Sequence, residues 1–270
     1  MKKFGMILVI GVLMMTMACG KSSDGKKFGV PKDKADYIIG IVQHVEHPSL
    51  NAATEGFQTA IDEAGLKVYY DVKNAQNDLN NNKTIVDKFV GDQVDLIFAN
   101  ATPSAQAAVN ATKDIPIIFT SVTDPVGAGL VASMEHPGGN ATGTSDNNPE
   151  AIPSTMRLIK DMGYTRVGTV YNAGEQNSVT QVDTMKSIAS ELGLTVTEAT
   201  VATSADVKQA AESLVGKVDA YYIITDNTVV NALESVIMVA EQEKIPLFVG
   251  ELDSVKRGGL AAYGFSYFDI

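Results

Sequence analysis

Tryptophan is absent from this 270-residue chain, cysteine occurs once and histidine three times. A single cysteine excludes an intrachain disulfide and any zinc site built on paired cysteines, so a large apolar core has to hold the fold. His44 and His47 flank Glu46 at a spacing that could hold a metal, but no cysteine lies near them and His136 is distant, so no metal is expected. No cofactor is expected either. Gly20-Lys21-Ser22 lacks the glycine that a phosphate loop requires five residues earlier, where Met15 stands. There is no Gly-x-Ser-x-Gly elbow and no histidine in triad order, so an enzyme is not expected. Positive charge is scarce as well: the formal net charge is −11, and −13 once Lys2 and Lys3 are discounted. Such a body is repelled by nucleic acid and by anionic lipid. The uncharged run from Phe4 to Ala18 is shorter than the roughly 18 to 20 residues that span a bilayer.

That run, preceded by two lysines and followed by small residues, has the shape of a secretory leader over residues 1–18. It stops at the only cysteine. Met17-Ala18-Cys19-Gly20 resembles the lipobox of bacterial lipoproteins, with Thr16 where that pattern prefers leucine. The resemblance implies lipidation of Cys19 and anchoring to the outer face of the cell membrane. Residues 19–36 mix Lys, Asp, Ser and Gly and read as a solvated tether.

From Tyr37 onward, short runs rich in Ile, Val, Phe and Tyr alternate with segments of helical period. Strands are predicted at Tyr37–Gln43, Leu66–Asp71, Leu96–Asn100, Ile117–Ser121, Val167–Tyr171, Leu194–Val201, Ala220–Thr225 and Leu247–Gly250. The stripe Ala53, Phe57, Ala60, Ile61, Ala64 marks a helix stopped by Gly65, and a second helix over Gln176–Leu192 stops at Gly193. The module recurs: "YIIGIVQH" aligns with "TRVGTVYN", "AGLKVYYD" with "LGLTVTEA", and "KDIPIIFTSVTDP" with "EKIPLFVGELDSV". The expected fold is therefore α/β, with two similar Rossmann-like lobes and mainly parallel sheets. The boundaries read as 37–145 and 146–258, with 259–270 forming a crossing back between the lobes.

Ligands of open parallel sheets bind beyond the carboxyl ends of the strands, so the residues there are the candidates. In the first lobe these are Gln43, His44, Asn100, Thr102, Ser104, Ser121, Thr123 and Asp146; in the second, Tyr171, Asn172, Asp226 and Glu251. None is Arg or Lys, which disfavours a phosphorylated ligand. Hydroxyls at Thr102, Ser104, Ser121 and Thr123 suit a carboxylate, and Asp226 or Glu251 suits an ammonium group, the combination an amino-acid zwitterion requires. Ser, Thr, Asn and Asp also cap helices, which is the competing explanation for each of them singly.

"ANATPSAQAAVNATKDIPIIFTSVTDPVGAGLV" closely resembles the ABC-transporter substrate-binding lipoproteins whose members bind tryptophan, tyrosine or phenylalanine. "GIVQHVEHPSLNAATEGFQTAIDEAG" and "GELDSVKRGGLAAYGFSY" are similar to that family too. The resemblance implies a periplasmic-binding-protein type I fold that closes on an aromatic or other apolar amino acid and delivers it to an ABC permease. By the same resemblance Thr102, Ser121 and Thr123 hold the carboxylate and Asp226 or Glu251 the amine. With no Trp, stacking falls to Tyr or Phe, with Tyr171 and Phe119 as candidates. Family members continue past "YGFSYFDI", so a C-terminal truncation is expected at Ile270. A sensory module for a membrane signalling partner, or a sugar or nucleoside receptor, are the alternatives; absence of Trp and of arginine at the strand ends weighs against the latter.

Overall fold

In the computed structural model, which describes residues 27–270, nine strands form two parallel sheets. The first sheet holds β1 (Tyr37–Gln43), β2 (Val68–Asn74), β3 (Leu96–Asn100), β4 (Ile117–Val122) and β5 (Ala141–Ser145) in the order β2-β1-β3-β4-β5. The second holds β6 (Arg166–Tyr171), β7 (Thr195–Thr200), β8 (Ala220–Ile223) and β9 (Leu247–Val249) in the order β7-β6-β8-β9. The first four strands of one sheet thus match the four of the other, the arrangement the repeated module predicts. In each, strand order reverses beside the first strand, which opens a crevice at the carboxyl ends. Helices α1 (Pro48–Glu63), α2 (Leu79–Gly91) and α3 (Thr102–Ala111) cover the first sheet. Helices α4 (Ala151–Asp161), α5 (Gln176–Leu192), α6 (Val207–Ser213), α7 (Asn227–Asn231), α8 (Leu233–Glu243) and α9 (Leu252–Arg257) belong to the second lobe.

The helix stops are where the glycines put them. Gly193 ends α5 in the left-handed conformation at φ +69°, and Gly65 follows α1 at φ +76°. Gly40 and Gly168 occupy equivalent places in β1 and β6, yet their surroundings differ. A Cβ on Gly40 would stand 2.6 Å from the buried Phe89 ring, whereas one on Gly168 would meet Val218 Cγ1 at 3.0 Å. We expect Gly40→Ala to cost about 1–3 kcal/mol by overpacking and Gly168→Ala distinctly less, which paired urea melts would measure.

Three segments differ from their sequence-based assignment. Strand β5, "ATGTS", was not expected as a strand because it carries no apolar alternation; it is a mostly exposed edge strand. Gly143 lets it pair, since a Cβ there would lie 2.0 Å from the Phe119 carbonyl oxygen. Residues 29–36, polar enough to read as tether, dock beside β2: Val30 N donates to Val68 O (2.8 Å) and Gly29 N to Asp62 Oδ2 (2.9 Å). Cys19, the leader and the tether as far as residue 26 lie outside the described residues. At the other end, Leu260 N donates to Leu247 O (2.7 Å) and Val249 N to Ala261 O (3.0 Å) alongside β9, and the chain then returns to the first lobe. There the turn Tyr267–Asp269 sits on α1 at Gly56, whose missing side chain admits the Phe268 carbonyl.

Candidate ligand-binding cleft

Between the lobes lie two adjoining chambers, small in this arrangement of the lobes at about 30 and 20 Å³. They share Thr123, Asp146, Thr225, Glu251 and Tyr267. The larger is walled by Tyr222, Tyr263, Phe265 and Ile152. The smaller is polar, with His47, Ser121, Asn177 and Asn227.

Four polar atoms around the smaller chamber are buried without a hydrogen-bond partner: Glu251 Oε2, Asn177 Oδ1, His47 Nδ1 and Ser121 Oγ. Buried polar atoms are nearly always paired, so four orphans around one chamber mark a place for a polar ligand. Glu251 is only 2% exposed, and its other oxygen accepts from Ser254 Oγ. Burial, reinforced by Asp253 and Asp146 and opposed by Ser254 and Arg257, raises its carboxyl to about 7. Burial holds His47 down at about 4, so its ring is neutral. Asn227 lies beside that ring and donates from Nδ2 to Glu175 Oε2 (2.6 Å), while His47 Nδ1 has no partner. The chamber therefore offers a carboxylate oxygen, an amide oxygen, an imidazole nitrogen and a hydroxyl.

Backbone strain gathers at the same place. Ser121 sits at φ +55° and Ala101 at φ +85°, on neighbouring strand ends joined by Ala101 N to Thr120 O (3.1 Å). For residues other than glycine these conformations cost of order 1 kcal/mol or more, and such strain concentrates at ligand sites.

The lobes touch across the cleft. Ser49 Oγ donates to Asp253 Oδ2 (3.1 Å), Asn77 Nδ2 to Thr228 Oγ1 (3.0 Å) and Gln181 Nε2 to Thr123 Oγ1 (3.3 Å). Asp146, on the first crossing, accepts from Thr123 Oγ1 (3.1 Å) and from Tyr267 on the returning segment (2.8 Å).

Residues 38–270 match the family model for ABC transporter substrate binding proteins. The chain belongs to that family. It is 45% identical over 277 residues to a tyrosine-binding protein of Clostridioides difficile (strain R20291), covering 98% of this chain and 80% of that one. Among solved structures, the Streptococcus pneumonia ABC domain in complex with L-Trp shares 34% identity at a TM-score of 0.83, over 87% of this chain and 81% of that one. The ligand-free, open structure of a Clostridium difficile substrate-binding protein with adhesive properties shares more sequence, 44%, but only a TM-score of 0.60, over 86% and 80%. This substrate-binding protein superposes better on the ligand-bound relative, despite the lower identity, than on the open, ligand-free one. Its fold is the periplasmic-binding-protein type I fold.

Of the residues expected at the cleft of this substrate-binding protein, Ser121, Thr123, Asp146 and Glu251 line the chambers, and His44 and Asn172 stand at an outer mouth with Asn77 and Glu175. Six face elsewhere. Gln43 and Asn100 bind the first sheet to α1: Gln43 Nε2 donates to Asn51 Oδ1 (2.7 Å), Asn100 Nδ2 to Leu50 O (2.7 Å), and Thr54 bridges both. Ser104 donates to Asn82 Oδ1 (2.7 Å), and Thr102 is buried at the start of α3, lining neither chamber. Tyr171 turns its hydroxyl to Glu198 (2.9 Å), and Phe119 belongs to the first lobe's core. Asp226 caps α7, its carboxylate filled by Val229 N (2.7 Å), Asn172 N (2.7 Å) and Ser178 Oγ (2.6 Å). Both of its oxygens are engaged, and it lines neither chamber.

Sequence reasoning did not select Asn177, Gln181, His47 or the aromatic wall. Asn177 and Gln181 lie four apart on the buried face of α5, a polar pair where an amphipathic helix should be apolar. The aromatic wall was signalled by "YGFSYF", four aromatics in six residues of a chain without Trp.

Proposed function

We propose that this substrate-binding protein is a receptor for an aromatic L-amino acid, serving an ABC importer on the outer side of the membrane. The observation that carries the reading is the set of four unpaired polar atoms in the small chamber, set against the aromatic wall of the large one. Glu251 and Asn177 offer acceptors to an ammonium group, Ser121 offers its hydroxyl to the carboxylate, and the ring lies among Tyr222, Tyr263 and Phe265. The tyrosine-binding and L-Trp-bound relatives support the same ligand class. Binding, not turnover, is the activity: closure holds the ligand through both lobes and presents one surface to the permease. Lipidation at Cys19 would keep the receptor beside that permease.

Isothermal titration of L-tyrosine, L-tryptophan, L-phenylalanine, N-acetyl-L-tyrosine and glucose tests this. Because the protein has no Trp, L-tryptophan fluorescence excited selectively also reports its own binding without background. The free aromatic amino acids should bind and stabilise by ~2.7 kcal/mol at 100 times Kd. N-Acetyl-L-tyrosine, which has no cation for Glu251, should not; equal binding of it would sink the assignment of the small chamber.

A further inference from the structure

At the outer mouth of the cleft, away from both chambers, hydrogen bonds run in one direction from the first lobe into the second. Ser104 Oγ donates to Asn82 Oδ1 (2.7 Å), and Asn82 Nδ2 to His44 Nδ1 (2.8 Å). With Nδ1 accepting and the ring kept neutral by burial, the His44 proton is on Nε2, and Asn77 lies beside the ring. Asn77 Nδ2 donates across the cleft to Thr228 Oγ1 (3.0 Å). Thr228 passes its single proton to Glu175 Oε1 at 2.7 Å in preference to its 3.3 Å approach to Asn77 Oδ1. It also accepts from Asn172 Nδ2 (2.9 Å), so the hydroxyl is fully used.

From Asn77 through Thr228 to Glu175 each group donates onward, the arrangement in which hydrogen bonds polarise one another. The run starts on the first lobe and ends on a buried carboxylate of the second. Its crossing point rests on strained backbone: Gln76 and Asn77 are both left-handed, at φ +55° and +61°. Asn77 N to His44 O (2.9 Å) and Ala75 N to Gln43 O (2.9 Å) pin that loop to the end of β1. Asparagine tolerates this conformation better than most residues, glutamine does not, and a strained turn that aims one side chain at the opposite lobe calls for a function.

We propose that Asn77 is a cross-cleft latch, a positioning residue that holds the lobes closed through Thr228 and so slows ligand release without touching the ligand. The ligand-release part rests on the function proposed above; the closure part does not. Two substitutions separate the latch from simple side-chain loss. Asn77→Gly keeps the left-handed backbone and removes the cross-cleft bond. Asn77→Asp keeps the size of the side chain, but it cannot donate, and it sets a carboxylate against a Thr228 oxygen whose proton is committed to Glu175. Far-UV spectra matching wild type confirm that both variants fold.

The off-rate of L-tyrosine should rise about 3- to 10-fold in Asn77→Gly, as expected for one lost hydrogen bond, and further in Asn77→Asp, with the on-rate little changed. In parallel, small-angle scattering of the ligand-free proteins should show a larger radius of gyration for both variants than for wild type. Off-rates within twofold of wild type in both variants overturn the latch. If wild type does not bind L-tyrosine, the proposed function fails instead, and scattering alone decides the latch: larger radii support it, unchanged radii overturn it.

Discussion

Glu251→Gln should weaken L-tyrosine binding by roughly 30- to 1,000-fold, about 2–4 kcal/mol, because it removes the charge from a buried carboxylate whose Oε2 has no partner within the protein. The same substitution should make the ligand-free protein more stable at pH 8. Glu251 titrates near 7 in the fold against a usual value of 4.5, so holding it ionised at pH 8 costs the folded state about 3 kcal/mol. A carboxylate kept ready for a cation is thus a defect until the cation arrives. Titration calorimetry and paired melts at pH 8 measure both halves. A variant that binds normally removes Glu251 from the site, and one that binds weakly but melts lower than wild type would show that Glu251 is structural.

Affinity for the ligand should rise about tenfold per pH unit between pH 5 and about 6.5 and level off above about 7.5. The sign follows from the direction of the shift. Glu251 is raised, so in the free protein it is protonated below 7, while an ammonium group selects the ionised form; binding there must expel a proton. For the free protein the sense is opposite: the raised group contributes stability below about 4.5 that is lost as pH climbs through about 7. Burial raises Asp146 and Asp226 as well, which adds to the same trend. Calorimetry at pH 6 in buffers of different ionisation enthalpy should therefore count about one proton released per ligand. Pairing with Glu251→Gln identifies its source, since the variant should release none.

The fold was largely legible because it rests on local pattern. Apolar runs such as "LIFAN" can only be buried strands, Gly193 can only end a helix, and two modules with matching glycines and Ile-Pro steps imply two matching lobes. Strand β5 escaped because an edge strand with one neighbour needs no apolar face. Glu251 and Ser121 were legible at the cleft because topology puts strand ends there. Asp226 was equally well placed in the sequence, and only its three filled hydrogen bonds show that it serves helix α7.

By itself, then, the sequence determined the two-lobed α/β body, its acidic surface, the lack of metal- and phosphate-binding motifs, and which strand ends border a cleft. The tertiary structure decided which of the polar groups there are free. A hydroxyl or carboxylate looks the same in sequence whether it caps a helix, knits a lobe as Gln43 and Asn100 do, or waits unpaired as Glu251 Oε2 does. The difference lies in partners far apart along the chain, such as Tyr267 with Asp146 or Asn77 with Thr228, and those meet only in the folded protein.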